Sequence, residues 1–521
     1  MRSLPERLGA QAARAPHATA VIQGGRRVSW AELAAEAGRF EAALLAGGVV
    51  PGERVGVLGE NSPEIIAALY GVLGAGAVAV SLNTAARAAE AAGVMVHADA
   101  RVLLAQANHP EVPALLPRLA PHVRVILLGP GGDALGPRAD EPEGGPRDAP
   151  RPAETWDALR SRFEPAAPRG VDPESLASIL YTSGTTGSPK GVALRHRNCI
   201  ANVESILAYL PLSPEDRTLC VLPFHYAYGA SVLHTHISAG ATLVLENSLA
   251  FPQRVLAVAA AERVTGLPGV PSTFALLLRR AHLGNFDLTS LRWLSQAGGA
   301  MAPVLTDELR AALPQARLYV MYGQTEATAR LTWLPPERLA EKRGACGRAI
   351  PGVELRIADP RSGETLATGE SGEVCARGDN IMAGYWRNEE ATRAVLREGW
   401  LHTGDLGRLD AEGFLFLDGR RGDMIKSGAH RISPFEIEEV LLGFAGVEEA
   451  IAVAAVDELL GEVVKAIVVP RSGVELDPLA LQRHCRDALA AYKVPKQVEL
   501  VRELPRTSSG KVVRRPPAET M

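Results

Sequence analysis

The sequence predicts an α/β protein: a large N-terminal domain of parallel-sheet α/β subdomains plus a β-rich subdomain, then a small α/β C-terminal domain. Three observations carry that expectation. Apolar strand-like runs alternate with helical patterns through residues 1–125 and again from Leu176 to Met321. From Gly347 to Leu417 the pattern changes to short alternating runs punctuated by Gly and Pro. Between Gly419 and Gly428 the text turns dense in glycine and charge (GRRGDMIKSG), which marks a boundary near residue 420. The expected domains are therefore 1–419 and 420–521, without an internal repeat.

Taken in order, Arg54-Val-Gly-Val-Leu58 before Glu60-Asn-Ser-Pro63 reads as a strand opening onto a helix. Ile65 to Leu82 is eighteen residues without a charge, at the lower limit for a membrane span. Gly71, Gly74 and Gly76 interrupt it, and AVAVSL closes it, so a buried helix running into a buried strand is expected. Its Gly74-Ala-Gly76-Ala-Val-Ala79 mimics a dinucleotide fingerprint, but the strand follows the helix instead of preceding it. Arg101-Val-Leu-Leu104 and Val123–Leu128 repeat the strand signal, and Gly129–Pro152 reads as a long exposed loop. Strands follow at Leu176–Tyr181, Thr218–Leu222, Ala241–Leu245, Leu291–Leu294 and Arg317–Met321. In the small domain a helix starts at Pro434, strands run over Ala450–Val456 and Glu462–Val469, and Asp477 caps a helix through Pro478–Leu489.

Hydrophobic residues are 47% and charged residues 22%, which excludes wholesale disorder. Lys+Arg 55 against Asp+Glu 59 leaves a net charge of −4, so nothing marks a nucleic-acid partner. The five cysteines, Cys199, Cys220, Cys346, Cys375 and Cys485, are scattered without CxxC spacing. That excludes a disulfide framework and points to a reducing, cytoplasmic compartment. No signal peptide is evident at Met1–Gly25.

Tyr181-Thr182-Ser183-Gly184-Thr185-Thr186-Gly187-Ser-Pro-Lys190-Gly191 is the most informative segment. It places five Ser/Thr hydroxyls, three glycines and one lysine in eleven residues after an apolar strand. Glycines let backbone N–H groups approach an anion, hydroxyls donate to it, and lysine adds charge, which is chemistry for polyphosphate. A Walker A loop needs Lys directly after its second Gly, whereas Lys190 follows Gly-Ser-Pro.

With Tyr322-Gly323-Gln324-Thr325-Glu326, Trp400-Leu-His-Thr-Gly-Asp405, Gly419-Arg420 and Pro505-Arg-Thr-Ser-Ser-Gly-Lys511, this segment resembles the motif set of the ANL superfamily. That superfamily comprises acyl-CoA synthetases, adenylation domains and luciferases, and the resemblance spans nearly the whole chain. It implies activation of a carboxylic acid by ATP and Mg²⁺ to an acyl-adenylate and pyrophosphate, then transfer to an acceptor, CoA in the simplest case. By the same resemblance Glu326 is the Mg²⁺ ligand, Thr325 touches the α-phosphate, and Tyr322 faces adenine. Gly298-Gly299-Ala300 forms the wall between adenine and acyl pocket, and Asp405 and Arg420 contact the ribose. Lys511 bridges the carboxylate and α-phosphate, on a small mobile lid whose hinge position is Gly422.

Two positions depart from the pattern. Gly422 stands where Asp or Lys is usual at the hinge, and glycine accepts large φ changes. Ala429 stands where CoA ligases carry a glycine lining the pantetheine tunnel, whose face runs from Gly428 to Arg431. Transfer to an acyl-carrier protein or to an amine is therefore the alternative, and a nucleotide sensor without turnover a distant third. Phe224-His225-Tyr-Ala-Tyr228-Gly229 corresponds to the aromatic motif gating the carboxylate pocket. His225 replaces the Asp that pairs an amino acid's ammonium group, so an acid with an uncharged tail, aliphatic or aromatic, is expected. His234-Thr-His236 puts two rings on one face of a strand without a neighbouring carboxylate or Cys, and no zinc is expected.

Overall fold

Residues 3–129, 153–167, 169–182, 190–420, 422–427, 430–457, 461–506 and 512–514 are described by the computed structural model. The expected loop 130–152 lies outside them. Two large sheets dominate. The first has eight strands, ordered Gly384–Tyr385, Lys190–Arg195, Leu176–Thr182, Val78–Ser81, Arg54–Leu58, Ala100–Gln106, Arg124–Leu128 and Glu154–Thr155. It is parallel from Leu176–Thr182 outward and antiparallel only at the Lys190–Arg195 and Gly384–Tyr385 edge. The helix Pro63–Gly74 and strand Val78–Ser81 divide the apolar stretch, and Ser62 accepts from Ile65 N at 3.2 Å to cap the helix behind its Pro. No helix among the described residues is long and apolar enough to cross a membrane.

The second sheet has nine strands. Arg317–Tyr322, Trp293–Gln296, Gly266–Gly269, Arg217–Cys220, Thr242–Leu245 and Thr19–Gln23 run parallel, with antiparallel strands at both edges. Helices Leu4–Arg14, Trp30–Ala46, Pro63–Gly74, His196–Tyr209 and Ala227–Ala239 share one apolar core with strands of both sheets. They form a helical layer enclosed between them. Its burial of Phe40, Ile66, Leu44 and Leu233 to 1% exposure or less supplies the main hydrophobic stabilisation of the large domain.

A five-stranded antiparallel sheet follows, with Val353–Ala358, Gly372–Gly378, Trp400–Leu409 and Leu396–Arg397 in order and Leu415–Arg420 paired to Trp400–Leu409. The small domain has a fourth sheet, in which Val447–Asp457 and Gly461–Pro470 form a long hairpin. Helices Pro434–Leu442 and Pro478–Ala488 bury Ile437, Leu441, Leu481 and Cys485 against it. Across the two domains Arg279 donates to the Glu448 carbonyl at 2.6 Å, and Arg471 pairs with Glu308 at 3.2 Å.

Candidate active site

Strand ends place the site. Leu176–Thr182 ends at Thr182, Trp293–Gln296 leads to Gly298–Ala300, and Arg317–Tyr322 ends at Tyr322. Ligands of open α/β sheets gather at such carboxyl ends. Gly298 adopts φ +85° and, with Gly299 and Ala300, lies exposed at the rim. Gln296 holds this loop by donating to the Gly299 carbonyl at 2.7 Å. After Tyr322 the chain turns back on itself. Leu331 N bonds the Tyr322 carbonyl at 2.8 Å, and a Cβ on Gly323 would overlap the Ala329 carbonyl, so only glycine fits there. Gln324, not Thr325, occupies the cap position of the short 3₁₀ turn Thr325–Ala327, leaving the Thr325 side chain half-buried and not used as a cap.

Glu326 is held from an element that sequence reasoning did not single out. Tyr385 Oη donates to Glu326 Oε1 at 2.8 Å, and Met382 N bonds the Glu326 carbonyl at 2.9 Å. The Lys190 ammonium lies 5.2 Å from the Tyr385 ring centroid, so Tyr385 links the lysine of the phosphate segment to the carboxylate. Burial, and then the Glu326 charge, push the Tyr385 phenol far above its ordinary range, so it stays a donor. Glu326 Oε2 takes no hydrogen bond among the described residues. A half-buried carboxylate with one oxygen fixed and one free suits Mg²⁺, which takes one or two carboxylates beside phosphate oxygens.

Asp405 lies opposite Arg420 in register between Trp400–Leu409 and Leu415–Arg420. It receives Tyr322 Oη at 2.7 Å and Arg420 Nε at 3.0 Å. Burial and the Asp405 carboxylate hold the Tyr322 phenol protonated. The strand carrying Asp405 is fixed by His402, whose Nδ1 lies 3.0 Å from Glu373 Oε2 and 3.4 Å from Cys375 Sγ.

At the motif expected to border the acid, His225 is 8% exposed, its Nε2 has no partner among the described residues, and burial lowers its pKa to about 4, so the ring is neutral. Tyr228 Oη donates to the Ser295 carbonyl at 2.8 Å, on the strand leading to Gly298. Gly229 lets the helix Ala227–Ala239 approach the Pro223 carbonyl, where a Cβ would overlap, so its part is close packing. His234 and His236 lie on that helix, not on a strand. His234 Nδ1 meets Tyr70 Oη at 3.0 Å, and His236 bonds the Val232 carbonyl and Thr218 Oγ1 at 2.7 and 2.8 Å. Helical order wins because the apolar residues Val232, Leu233 and Ile237 recur at helical spacing.

The structure thus gathers Lys190, Glu326, Tyr322, Asp405 and Arg420 with Tyr385. Ser183, Gly184, Thr185, Thr186, Gly187, Gly428, Ala429 and Lys511 lie outside the described residues. Arg431 falls on the strand His430–Ile432, and Gly422 follows Arg420 in a turn closed by Asp423 N to the Arg420 carbonyl at 2.9 Å.

Residues 8–386 match the AMP-binding enzymes, and residues 436–511 match the C-terminal domain of AMP-binding enzymes. A feruloyl-CoA synthase of Amycolatopsis sp is 36% identical over 501 residues, 96% of this chain and 95% of its own. The o-succinylbenzoate coenzyme A synthetase of Bacillus subtilis, solved with ATP and a magnesium ion, has TM-score 0.82 at 29% identity over 98% of both chains. An amide bond synthetase of Marinactinospora thermotolerans has TM-score 0.84 at 30% identity over 98% of this chain and 97% of its own. Fold and site define an adenylate-forming enzyme. The chain belongs to the family of AMP-binding enzymes and is an ATP-dependent, AMP-forming ligase of the acyl-CoA synthetase kind.

Proposed function

We propose that this enzyme joins a carboxylic acid to CoA in two steps, with the domain boundary at 419/420 separating the fixed site from the lid. In the first, a carboxylate oxygen attacks the α-phosphorus of ATP and the bond to the β-phosphate oxygen breaks, releasing pyrophosphate. In the second, the CoA sulfur attacks the acyl carbonyl as its proton leaves, and AMP departs. Thr182, Ser183, Gly184, Thr185, Thr186, Gly187 and Lys190 hold the triphosphate; Gly298, Gly299, Ala300, Tyr322, Gly323 and Gln324 hold the base. Asp405 and Arg420 take the ribose diol, whose hydroxyls donate to the carboxylate and accept from the guanidinium. Mg²⁺, when bound, would neutralise phosphate charge with Glu326 as its protein ligand, and Thr325 touches the α-phosphate. Lys511 stabilises charge on the pentavalent phosphorus. His225, Tyr228 and Gly229 border the acid.

The observation that carries this reading is the single linked cluster of Lys190, Tyr385 and Glu326, with the Tyr322–Asp405–Arg420 chain starting four residues before Glu326 on the same turn. A panel of carboxylic acids scored for ATP-dependent pyrophosphate release tests it. Release with at least one acid, followed by thioester on addition of CoA, is the expected result. Absence of release with every acid overturns the adenylation step. A second reading, transfer to an amine, is supported by Ala429 and by the likeness to the amide bond synthetase. Amide product with amines, and no thioester with CoA, decides in its favour; an acyl-carrier protein is the third acceptor to include.

A further inference from the structure

Arg330 is the one charged residue of the turn after Glu326 that ends in the interior. It is 3% exposed, and its guanidinium carbon lies 4.2 Å from the centroid of the Tyr228 ring. One Nη donates to the Ala329 carbonyl at 3.2 Å, the group faces the Tyr209 hydroxyl, and Nε meets no acceptor among the described residues. Among the described residues no carboxylate pairs with it. Arginine stays protonated at any physiological pH, and a buried charge without a counter-ion is costly. Cation–π contact with Tyr228 offsets only part of that cost.

The backbone fixes the guanidinium where it is. Thr328 and Ala329 adopt φ +52° and +90°, an uncommon pair for residues with a Cβ. Asn380 Nδ2 secures them by donating to the Ala327 and Arg330 carbonyls at 3.1 and 2.7 Å. Tyr228, over whose ring the guanidinium lies, belongs to the motif proposed to border the acid. The contacts of Arg330 are with Tyr228, Tyr209 and its own turn, and not with Glu326, Tyr385 or Asp405. The anion it lacks is therefore sought on the acid and not on the phosphate chain.

We propose that Arg330 forms an anion subsite in the acyl pocket, so that the acid activated here carries a second carboxylate distal to the one that is adenylated. The inference rests on the adenylation reading and replaces the uncharged tail expected from His225. A planar guanidinium with free N–H groups fits a carboxylate by paired hydrogen bonds, and a hydrocarbon tail would leave it unpaired.

The test compares pyrophosphate release from matched acids: succinate, glutarate and adipate against butyrate, pentanoate and hexanoate, and 4-carboxycinnamate against cinnamate. In the parent at least one diacid should exceed its monoacid partner by ~10-fold or more in kcat/KM. Arg330→Met should cost that diacid ~10²-fold, mainly through KM, and should reverse the ranking within the pair; Arg330→Lys should keep part of the preference. The aliphatic and aromatic arms separate the two sources of the second carboxylate. Monoacid preference in every pair, unaltered in Arg330→Met, overturns the subsite and leaves adenylation standing. If no acid releases pyrophosphate, thermal shifts with AMP and each acid decide. A shift by diacids in the parent that Arg330→Met abolishes keeps the subsite and overturns adenylation, and no shift overturns both. Should Arg330→Met not fold, the parent ranking and Arg330→Lys settle the matter.

Discussion

Among single residues, the most consequential contact is Tyr385 Oη to Glu326 Oε1, 59 residues apart in sequence. Removing the hydroxyl in Tyr385→Phe frees the carboxylate to rotate, at about 1.5–3 kcal/mol, the worth of a hydrogen bond to a charged group. The Mg²⁺ concentration for half-maximal pyrophosphate release should rise about 10- to 100-fold. An unmoved Mg²⁺ curve would mean that Glu326 needs no such anchor. Lys511→Ala should abolish pyrophosphate release while ATP binding stays within a few-fold, because the charge acts in the transition state. Exchange at close to the parent rate sinks that role. Glu326 and Asp405 were singled out in the sequence by the resemblance of their motifs, and the phosphate segment by a density of hydroxyls and glycines that a plain turn has little use for. Tyr385, Asn380 and Arg330 were not. Each acts through a partner distant in the chain, and an isolated Tyr, Asn or Arg has many ordinary uses. The clue for Arg330 was present: a lone base between Ala329 and Leu331 on a segment otherwise bound for the core.

At the level of elements, the turn Gln324–Leu331 matters most, since it carries the candidate metal ligand on one arm and Arg330 on the other. Asn380 is 1% exposed and ties both arms through two carbonyls, while Thr328 Oγ1 donates back to the Asn380 carbonyl at 2.6 Å. Asn380→Ala removes the donor to the buried Arg330 carbonyl and leaves the Ala327 carbonyl only the long bond from Arg330 N at 3.3 Å, and should cost about 1–3 kcal/mol. A lower urea midpoint should accompany a fall in kcat of tenfold or more, from displacement of Thr325 and Glu326. A variant that unfolds at lower urea yet turns over at the parent rate would restrict Asn380 to stability. Most elements were readable from periodicity, and the strands at Arg54–Leu58, Leu176–Thr182 and Arg317–Tyr322 fall within a residue or two of expectation. Gly266–Gly269 was not, because Gly-Leu-Pro-Gly is turn chemistry. It is an inner strand all the same: a Cβ on Gly266 would overlap the Trp293 indole, and Pro268 needs no donor toward Arg217–Cys220, which it pairs only at Gly266.

Across the whole molecule, the helical layer between the two large sheets carries three histidines in neutral form, and the turn leading into its helix Ala227–Ala239 carries a fourth, His225. Burial lowers His196, His225 and His236 to about 4 and His234 to about 3. Their folded values lie below the unfolded one of about 6.5, so the unfolded chain binds more protons in the window between. Stability therefore falls as pH drops from about 6.5 toward about 4, each histidine contributing on the order of 1 kcal/mol per pH unit. The midpoint of thermal unfolding should decline steadily across that window. A midpoint that held constant would mean that these rings find acceptors or water on protonation. Composition and spacing did not disclose this layer, since neutrality of a histidine is set by what encloses it.

The same enclosure governs sulfur. Cys199, Cys220, Cys375 and Cys485 are buried, and Cys346 directs its Sγ to the Leu415 carbonyl at 3.3 Å. Burial raises the first two and Cys346 to about 12, and Cys375 and Cys485 to about 11. At neutral pH the folded chain thus offers almost no thiolate, the form that attacks a disulfide dye. In aliquots drawn from a reaction supplied with CoA, a chromogenic disulfide titrates the CoA thiol and not the folded protein, and each turnover that makes a thioester removes one equivalent of colour. Denaturant then restores five equivalents from the protein itself, an internal standard for enzyme concentration in the same cuvette.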